Sequence, residues 1–272
     1  MDDIKSVLLE TLSEFHAFCE THDLEYFLIG GTLLGAVRHE GFIPWDDDAD
    51  VVMPREDYNK LLNLASEFKY PFILKSPKTH KDFRIQFAKL TNQKIILEED
   101  LDVPFVNGVW LDIFPLDYTF NNKYTQNLHF FVASKLKSLI SLKYNLVNQK
   151  KLSMARRTVK LPLWIISKVM PREVINGFFT MNENIATILP FPKNSLANLY
   201  GSWGVKEIAP AKIFSSKKLY DFEGKQFWGP VDADYWLTKV YGDYMQLPSK
   251  EQQKAKHNIK VLSYNYGSNK YK

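Results

Sequence analysis

Residues 30–53 read GGTLLGAVRHEGFIPWDDDADVVM, and this stretch is the most informative part of the chain. A pair of glycines, Gly30 and Gly31, follows the short apolar run Leu24–Ile29. Four aspartates then stand within five positions: Asp46, Asp47, Asp48 and Asp50. Carboxylates this close repel one another unless a cation lies among them. Mg²⁺ prefers oxygen ligands and usually binds through carboxylates together with substrate phosphates, so the stretch predicts phosphate chemistry.

The segments around the glycine pair predict a strand–helix–strand unit. LEYFLI at Leu24–Ile29 is apolar and aromatic, which is typical of a buried strand, and Thr32–Val37 follows as a short helix. Backbone N–H groups after a Gly-Gly turn can approach a phosphate closely, because glycine has no Cβ. We therefore expect Gly30, Gly31 and Thr32 to cradle a diphosphate.

The strand that follows the aspartate run predicts which carboxylates act together. Alternate residues of a strand share a face. Asp46, Asp48 and Asp50 therefore point the same way if the strand is regular from its start. Ala49 and Val51 then point into the core.

A third carboxylate is expected from a later strand. Val109–Phe114 is an apolar strand pattern interrupted by one charge, Asp112. An unpaired aspartate there would be costly, whereas a neighbouring metal would stabilise it. Asp112 is therefore the predicted partner of Asp48 and Asp50, and Asp117 is expected just beyond the strand end.

Two simpler interpretations of the aspartates stay open. An EF-hand loop beginning at Asp46 would need glycine at its sixth position and glutamate at its twelfth, where this chain has Val51 and Asp57. The run could also be a solvated acidic turn, although apolar residues flank it on both sides.

The same stretch closely resembles the signature of the LicD family, a branch of the nucleotidyltransferase-fold superfamily. The superfamily pattern is a Gly-Gly or Gly-Ser turn, an Asp-x-Asp pair on the next strand and a third acidic residue on a later strand. The residues that fill these places are Gly30, Gly31, Asp48, Asp50 and Asp112. WLDIFPLD (Trp110–Asp117) matches the third-carboxylate strand, and YGDYMQLP (Tyr241–Pro248) matches the C-terminal element of the family.

The resemblance implies a Mg²⁺-dependent phosphotransferase. Such an enzyme moves phosphocholine, or a related phospho-alcohol, from a CDP donor such as CDP-choline to a sugar hydroxyl, and it releases CMP. The acceptor would be a cell-surface glycan, namely a teichoic acid, lipopolysaccharide or capsule precursor, which in this family is often lipid-linked. Related members, including the fukutin-related proteins, use CDP-polyols.

The expected site combines the residues of this match with neighbouring groups whose chemistry suits a metal ion or a phosphate. One or two Mg²⁺ ions would be held by Asp46, Asp48, Asp50 and Asp112, of which the last three are also the expected catalytic residues. The donor would be bound by Gly30, Gly31, Thr32, Arg38 and Lys89. Asp112 is the expected general base, with Asp46 as the alternative. A DxD-type glycosyltransferase and a non-catalytic nucleotide- or glycan-binding pseudoenzyme stay open as rival interpretations.

A choline headgroup would favour an aromatic cage, because its cation is attracted to ring faces. The candidate rings are Trp110, Tyr200, Trp203, Trp228 and Tyr241. Each of them is equally compatible with a place in the core.

Composition is that of an ordinary enzyme of 272 residues, with 45% hydrophobic and 24% charged residues. The single cysteine, Cys19, excludes an intramolecular disulfide and a zinc site built on several cysteines. The N-terminus lacks a signal-peptide pattern, and the chain has no apolar run long enough to span a bilayer. We therefore expect a cytoplasmic protein with peripheral contact at the inner face of the membrane.

That membrane contact is suggested by the segment 121–172, which contains no Asp or Glu. Its basic residues are Lys123, Lys135, Lys137, Lys143, Lys150, Lys151, Arg156, Arg157, Lys160, Lys168 and Arg172. Apolar residues recur among them at helical spacing, and LPLWIISKVM adds a tryptophan, a pattern that suits an anionic membrane surface or glycan. The alternative is a packed helical subdomain with a basic outer face, and no nucleic-acid partner is expected.

The fold class is therefore α+β, a small mixed nucleotidyltransferase-like sheet with flanking helices and a helical insert. We divide the chain into a catalytic core (1–120), a basic helical region (121–190) and an aromatic-rich region packing on the core (191–272). Further strands are expected at Phe72–Lys75, Phe83–Leu90 and Lys94–Glu98. Residues 121–190 should be helical with breaks near Pro162, Pro171 and Pro190. Residues 191–250 should be irregular apart from a helix at Ala233–Tyr241.

Overall fold

The α+β class is confirmed by a computed structural model that describes residues 2–99, 105–146, 154–190, 192–255 and 259–265, the side chains of residues 2 and 154–160 excepted. The helices are α1 (Asp2–Thr21), α2 (Gly30–His39), α3 (Arg55–Asn63), α4 (Lys123–Tyr144), α5 (Met154–Val169), α6 (Arg172–Ile188) and α7 (Ala233–Tyr241). The strands are β1 (Phe27–Leu28), β2 (Ala49–Pro54), β3 (Phe72–Lys75), β4 (Ala88–Glu99), β5 (Phe105–Thr119), β6 (Ser195–Ala197), β7 (Ile208–Pro210), β8 (Lys217–Phe222), β9 (Lys225–Pro230) and β10 (Ile259–Tyr264).

One mixed sheet organises the molecule, with the strand order β1-β2-β5-β4-β10. β2 and β5 are parallel, and the other neighbours along this path are antiparallel. A register irregularity between Asn92 and Ile96 divides β4, so that β3 pairs with its first half and β10 with its second. β6 and β7 extend the sheet from the end of β5, while β8 and β9 form a separate hairpin.

The core lies between the sheet and α1. One face of this helix is buried, as shown by Val7, Leu8, Leu12 and Phe15 at 0–2% exposure. α1 packs on β4 and β5 through this face. Burial of four such side chains is worth roughly 1.5–3 kcal/mol each, which is more than the intrinsic helix propensity of α1 supplies. Cys19 is buried on the same helix.

Three predicted boundaries are wrong. Phe83–Leu90 and Lys94–Glu98 were expected as two strands, but a single long strand, β4, runs through both patterns and begins only at Ala88. The predicted break at Pro162 lies inside α5, where packing of α5 on α4 outweighs the hydrogen bond that proline removes. Asp117 lies within β5, not beyond its strand.

The segment 191–250 is also more regular than predicted. It contains β6, β7, β8 and β9, together with α7 at the predicted residues Ala233–Tyr241. Strands of three residues are too short to show a period of two in the sequence, so periodicity cannot detect them. Because β6, β7 and β10 join the sheet, the C-terminal region contributes strands to it; the division into three parts stays a prediction.

The basic region forms the helical insert. α4 packs against both α5 and α6, and α6 contacts β5. The described helices include none with both the length and the apolar character needed to cross a membrane. Lys150 and Lys151 lie outside the described residues, as do the side chains of Arg156, Arg157 and Lys160.

Candidate active site

Three charged residues stand side by side across the middle of the sheet. Asp50 on β2 is directly opposite Asp112 on β5, and Asp112 is directly opposite Lys89 on β4. Opposed residues of neighbouring strands project from the same face, so the three side chains form one row. Lys89 Nζ lies 2.6 Å from Asp112 Oδ1, and both residues are buried. The predicted pairing of Asp50 with Asp112 is thus present in the sheet register.

The glycine pair allows the carboxylates to approach the start of α2. Gly30 has φ +59°, and a Cβ built on it would lie 2.7 Å from Asp50 Oδ2. A Cβ on Gly31 would collide with Asp46 Oδ2. Side chains are therefore excluded here by the neighbouring aspartates. The N-terminal end of a helix favours nearby negative charge, so α2 partly stabilises the acidic cluster.

Thr32 connects α2 to the aspartate strand. The Asp50 N–H donates a hydrogen bond of 2.8 Å to Thr32 Oγ1, and the Ile29 N–H donates one of 3.2 Å to the Asp50 carbonyl oxygen. The observed role of Thr32 is to fix the backbone of Asp50. Its contact with a diphosphate stays a prediction.

The carboxylates of Asp46, Asp47 and Asp48 form a separate group. One oxygen from each lies within 4.8 Å of the others, and all three residues are buried. Asp47 is absent from the predicted ligand set because we assumed a regular strand through the whole run. β2 begins only at Ala49, so alternation does not apply to the turn before it. The expectation that Asp46 belongs to a regular strand face is therefore wrong.

A divalent cation fits this donor set. The donors are buried carboxylate oxygens, which suit a hard ion such as Mg²⁺. The glycine turn provides the space beside them that a Cβ would fill. Asp46 and Asp48 belong both to the predicted ligand set and to the observed group. Asp50 and Asp112, the other two predicted ligands, lie in the row that they form with Lys89.

A cavity of about 320 Å³ opens over the row. On the sheet side it is lined by Gly30, Gly31, Asp48, Asp50, Lys89 and Asp112. On the opposite side it is lined by Asn198, Tyr200, Trp203, Glu207, Trp236 and Tyr241, among others. The structure thus brings together most of the predicted site residues.

A second cavity, of about 420 Å³, adjoins Gly31 and contains Arg38 and Asp46. Trp203 and Tyr241 line both cavities. Arg38 donates 2.7 Å from Nη1 to the Tyr244 carbonyl oxygen, and burial lowers the pKa of its guanidinium. The predicted phosphate contact of Arg38 would therefore lie in this second cavity, not over the Asp50 row.

The profile described as "LicD/FKTN/FKRP, nucleotidyltransferase domain" matches residues 23–163, which is just over half of the chain. The chain belongs to this family. The match includes α2, β2 and β5, the elements that carry the glycine turn and the aspartates, and it confirms the resemblance seen in the sequence.

One relative of this LicD-family chain resembles it over almost its full length. It is a protein of Haemophilus influenzae named "Lipopolysaccharide cholinephosphotransferase LicD", 29% identical over 269 residues, or 92% of this chain and 93% of the relative. Shorter matches are 37% identical over 62 residues to uncharacterised proteins of Rickettsia prowazekii and Rickettsia typhi, covering 23% of this chain and 23% and 20% of those proteins.

Glu207 is a site residue that sequence reasoning missed in this LicD-family chain. It is buried in the cavity wall and accepts hydrogen bonds of 2.8 Å from Asn198 Nδ2 and from the Trp203 N–H. Burial raises the pKa of Glu207 to about 7, whereas the Trp203 bond and the Lys137 charge act to lower it. A lone glutamate in an irregular segment has no sequence pattern that marks it as buried.

A buried ion-pair network supports the same wall. Asp117 accepts two hydrogen bonds from Arg55, from Nε at 2.6 Å and from Nη2 at 2.7 Å. Arg55 Nη2 also lies 3.1 Å from Glu183 Oε1, and the Tyr200 hydroxyl donates to the same oxygen. The network joins α3, β5 and α6 to Tyr200, so the helical insert is connected to the cavity.

Proposed function

We propose that this LicD-family chain is a cholinephosphotransferase that modifies a cell-surface glycan precursor. The row formed by Asp50, Asp112 and Lys89, facing a cavity beside the Gly30 turn, is the observation that carries the proposal. The full-length likeness to a protein named for lipopolysaccharide cholinephosphate transfer supports the same reaction class. CDP-choline is the proposed donor, and CMP is the proposed leaving product.

The reaction would be a direct displacement at phosphorus. The acceptor hydroxyl oxygen forms a bond to the distal phosphorus of the donor, and the bond from that phosphorus to the CMP phosphate oxygen breaks. The hydroxyl proton passes to the Asp112 carboxylate, which Lys89 orients from 2.6 Å. Phosphoryl transfer depends mainly on positioning and charge neutralisation. Lys89 is the cation of the row, and a metal ion held by the carboxylates would supply the further positive charge.

Magnesium, as one or two ions, is the proposed cofactor, with Asp46, Asp48, Asp50 and Asp112 as the proposed ligands and Asp47 as an added ligand. When bound, the ion would neutralise charge on the donor phosphates. Gly30 and Gly31 would let those phosphates approach the start of α2. The chain's own residues would thus position the donor.

The choline headgroup is proposed to contact Trp203 and Tyr241. Their ring centroids are 5.0 Å apart at 74°, and Trp203 is 44% exposed. Of the other candidate rings, Trp110 lies under Lys89 Nζ at 4.5 Å, and Trp228 donates a hydrogen bond to Glu20 outside the cavity. Tyr200 also lines the cavity, but its hydroxyl is directed to Glu183.

The test is CMP release from a panel of CDP-choline, CDP-ethanolamine, CDP-glycerol and CDP-ribitol in the presence of Mg²⁺. Release should be fastest with CDP-choline and should be abolished by Asp50→Asn. Asp221→Asn on the β8–β9 hairpin is the matched control and should retain activity. Release of UDP from a UDP-sugar instead would favour the glycosyltransferase, and Mg²⁺ binding without turnover would favour the pseudoenzyme.

Trp203→Ala should raise the KM for CDP-choline about thirtyfold, since a desolvated cation–π contact is worth about 2 kcal/mol. The KM for CDP-glycerol, which carries no cation, should change little. Trp228→Ala is the matched control, because Trp228 lies outside the cavity. Equal effects of Trp203→Ala on both donors would show that this ring is structural and does not recognise choline.

A further inference from the structure

Helix α5 carries large apolar side chains on the outside of the molecule. Leu161, Trp164, Ile165 and Val169 are 51%, 38%, 50% and 78% exposed. Their spacing, i, i+3, i+4 and i+8, places them on one side of the helix. We call these four residues the α5 face. Contiguous apolar surface of this kind on a folded protein marks an interaction site.

The α5 face is not the side by which this helix packs on the rest of the protein, because the opposite side of the helix is already packed. Ser167 is fully buried, and Leu163 packs against the core cluster. α5 is also connected to α4 at its C-terminal end, where Lys143 Nζ donates 3.2 Å to the Ser167 carbonyl oxygen. The helix is therefore anchored on α4, and the α5 face is its outer side.

The sequence segment that contains the α5 face carries charge of one sign. The sequence from 121 to 172 has no Asp or Glu and eleven Lys or Arg. Lys168 lies on the same side of α5, with its Nζ 5.9 Å from the Trp164 ring centroid. Its neighbour Lys143 donates 2.9 Å to the Met170 carbonyl oxygen at the end of α5. Lys168 thus stands beside the apolar face, where its Nζ also donates 2.8 Å to the Lys143 carbonyl oxygen, and the segment contains no carboxylate to compensate its charge.

We propose that the α5 face binds an anionic lipid membrane, with α5 lying in the plane of the interface. The four apolar side chains would enter the boundary between headgroups and acyl chains, and Lys168 would extend to the lipid phosphates. A second copy of the chain would bring one basic segment against another. A nucleic acid would leave the apolar side chains in water.

Helix α6 carries a second outward row that strengthens this inference. Val174, Phe178 and Met181 are 44%, 43% and 58% exposed at i, i+4 and i+7. α6 follows α5 directly after Pro171, so both helices of the insert expose apolar side chains. The inference stands independently of the proposed transferase activity, since no residue of the α5 face lines the candidate active site.

The test is co-sedimentation of the whole chain with vesicles of phosphatidylcholine alone and of phosphatidylcholine mixed with phosphatidylglycerol. Binding should be strong only with the mixed vesicles. Ile165→Glu should lower the partition coefficient at least about tenfold, and Lys168→Gln about fivefold. Leu262→Glu on β10, a residue 44% exposed, is the matched control and should bind as the unmodified chain does.

Three results would overturn the proposal. One is an unmodified chain that does not sediment with anionic vesicles, and another is unchanged binding by Ile165→Glu. The third is a concentration-dependent dimer that Ile165→Glu dissociates, because the occupant would then be a second copy. Ile165→Glu should keep an unchanged circular-dichroism spectrum and should release CMP when phosphocholine is transferred to a water-soluble acceptor. This assay separates failure of the α5 face from failure of the proposed function.

Discussion

Single residues determine how closely the glycine turn and the carboxylates can approach. Two constraints act on Gly30. Its backbone is left-handed, and a Cβ on this residue would touch the Asp50 carboxylate. The backbone effect alone costs a side chain about 1–2 kcal/mol. A Cβ at this position would also displace the Asp50 carboxylate, which the proposed reaction needs. A comparison with another left-handed glycine can therefore separate stability from activity.

Gly30→Ala should abolish CMP release and lower the free energy of unfolding by more than about 1–2 kcal/mol. Gly224→Ala is the control, since Gly224 has φ +72° and no atom within 4 Å of an added Cβ. This control should lose stability from the backbone effect alone and keep its activity. Urea unfolding and CMP assays on both variants measure the difference. Full activity in Gly30→Ala would contradict the close approach of Asp50.

Glu207 should make stability depend on pH. Its pKa is raised from 4.5 to about 7 on folding, so the folded state binds more protons than the unfolded state between these values. The contribution to stability is therefore present below pH 4.5 and is lost as pH rises through about 7. Glu207→Gln should unfold with a flatter pH profile over this range, as thermal melts would measure. Identical profiles would show that the pKa of Glu207 does not change on folding.

Elements owe their positions to contacts between distant segments. Arg55 at the start of α3 holds Asp117 of β5 and Glu183 of α6, and the same network reaches Tyr200 in the cavity wall. Asp117 is 2% exposed, so its charge depends on Arg55 for compensation. The helical insert is thereby attached to the catalytic sheet by charge as well as by packing.

Arg55→Leu should lower the free energy of unfolding by about 3–5 kcal/mol, because it leaves the buried carboxylate of Asp117 and the half-buried carboxylate of Glu183 without their cation. Lys60→Ala is the control, since Lys60 is an exposed side chain of the same helix, and its partner Asp57 keeps a hydrogen bond from the Glu25 N–H when Lys60 is removed. That variant should change stability far less. Chemical denaturation of both proteins provides the measurement. Equal losses in the free energy of unfolding would show that the Arg55 network contributes no more to stability than the Lys60–Asp57 pair.

At the scale of the whole molecule, metal binding should be linked to folding. A ligand that binds only the folded chain stabilises it by about 2.7 kcal/mol at a concentration a hundred times its Kd. Addition of Mg²⁺ should therefore raise the Tm, and EDTA should reverse the shift. Asp48→Asn should lose the shift, whereas Asp221→Asn should keep it. A Tm that does not respond to Mg²⁺ would count against the proposed cofactor.

Much of the site was predictable because its residues are close in the sequence. The Gly30 turn and Asp50 belong to one strand–helix–strand unit, in which periodicity and glycine chemistry act locally. The pairing of Asp112 with Asp50 was also predictable, since a charge inside an apolar strand needs a partner. The place of Asp47 in the carboxylate group was not predictable, because alternation describes only residues within a strand, and β2 begins after Asp47.

The sequence by itself determined the family, the glycine turn, the three carboxylates of the predicted set and the basic character of the insert. Local backbone preferences and charge repulsion are sufficient for the glycine turn and the aspartate run, because they act between residues a few positions apart. Asp112 was predictable for a different reason, since a charge within an apolar strand needs a partner. Only the tertiary structure decided that Lys89 pairs with Asp112, that Glu207 is buried in the cavity wall and that the α5 face is exposed. These features arise where strands and helices far apart in the chain pack together, and desolvation at such contacts depends on neighbours that periodicity does not reveal.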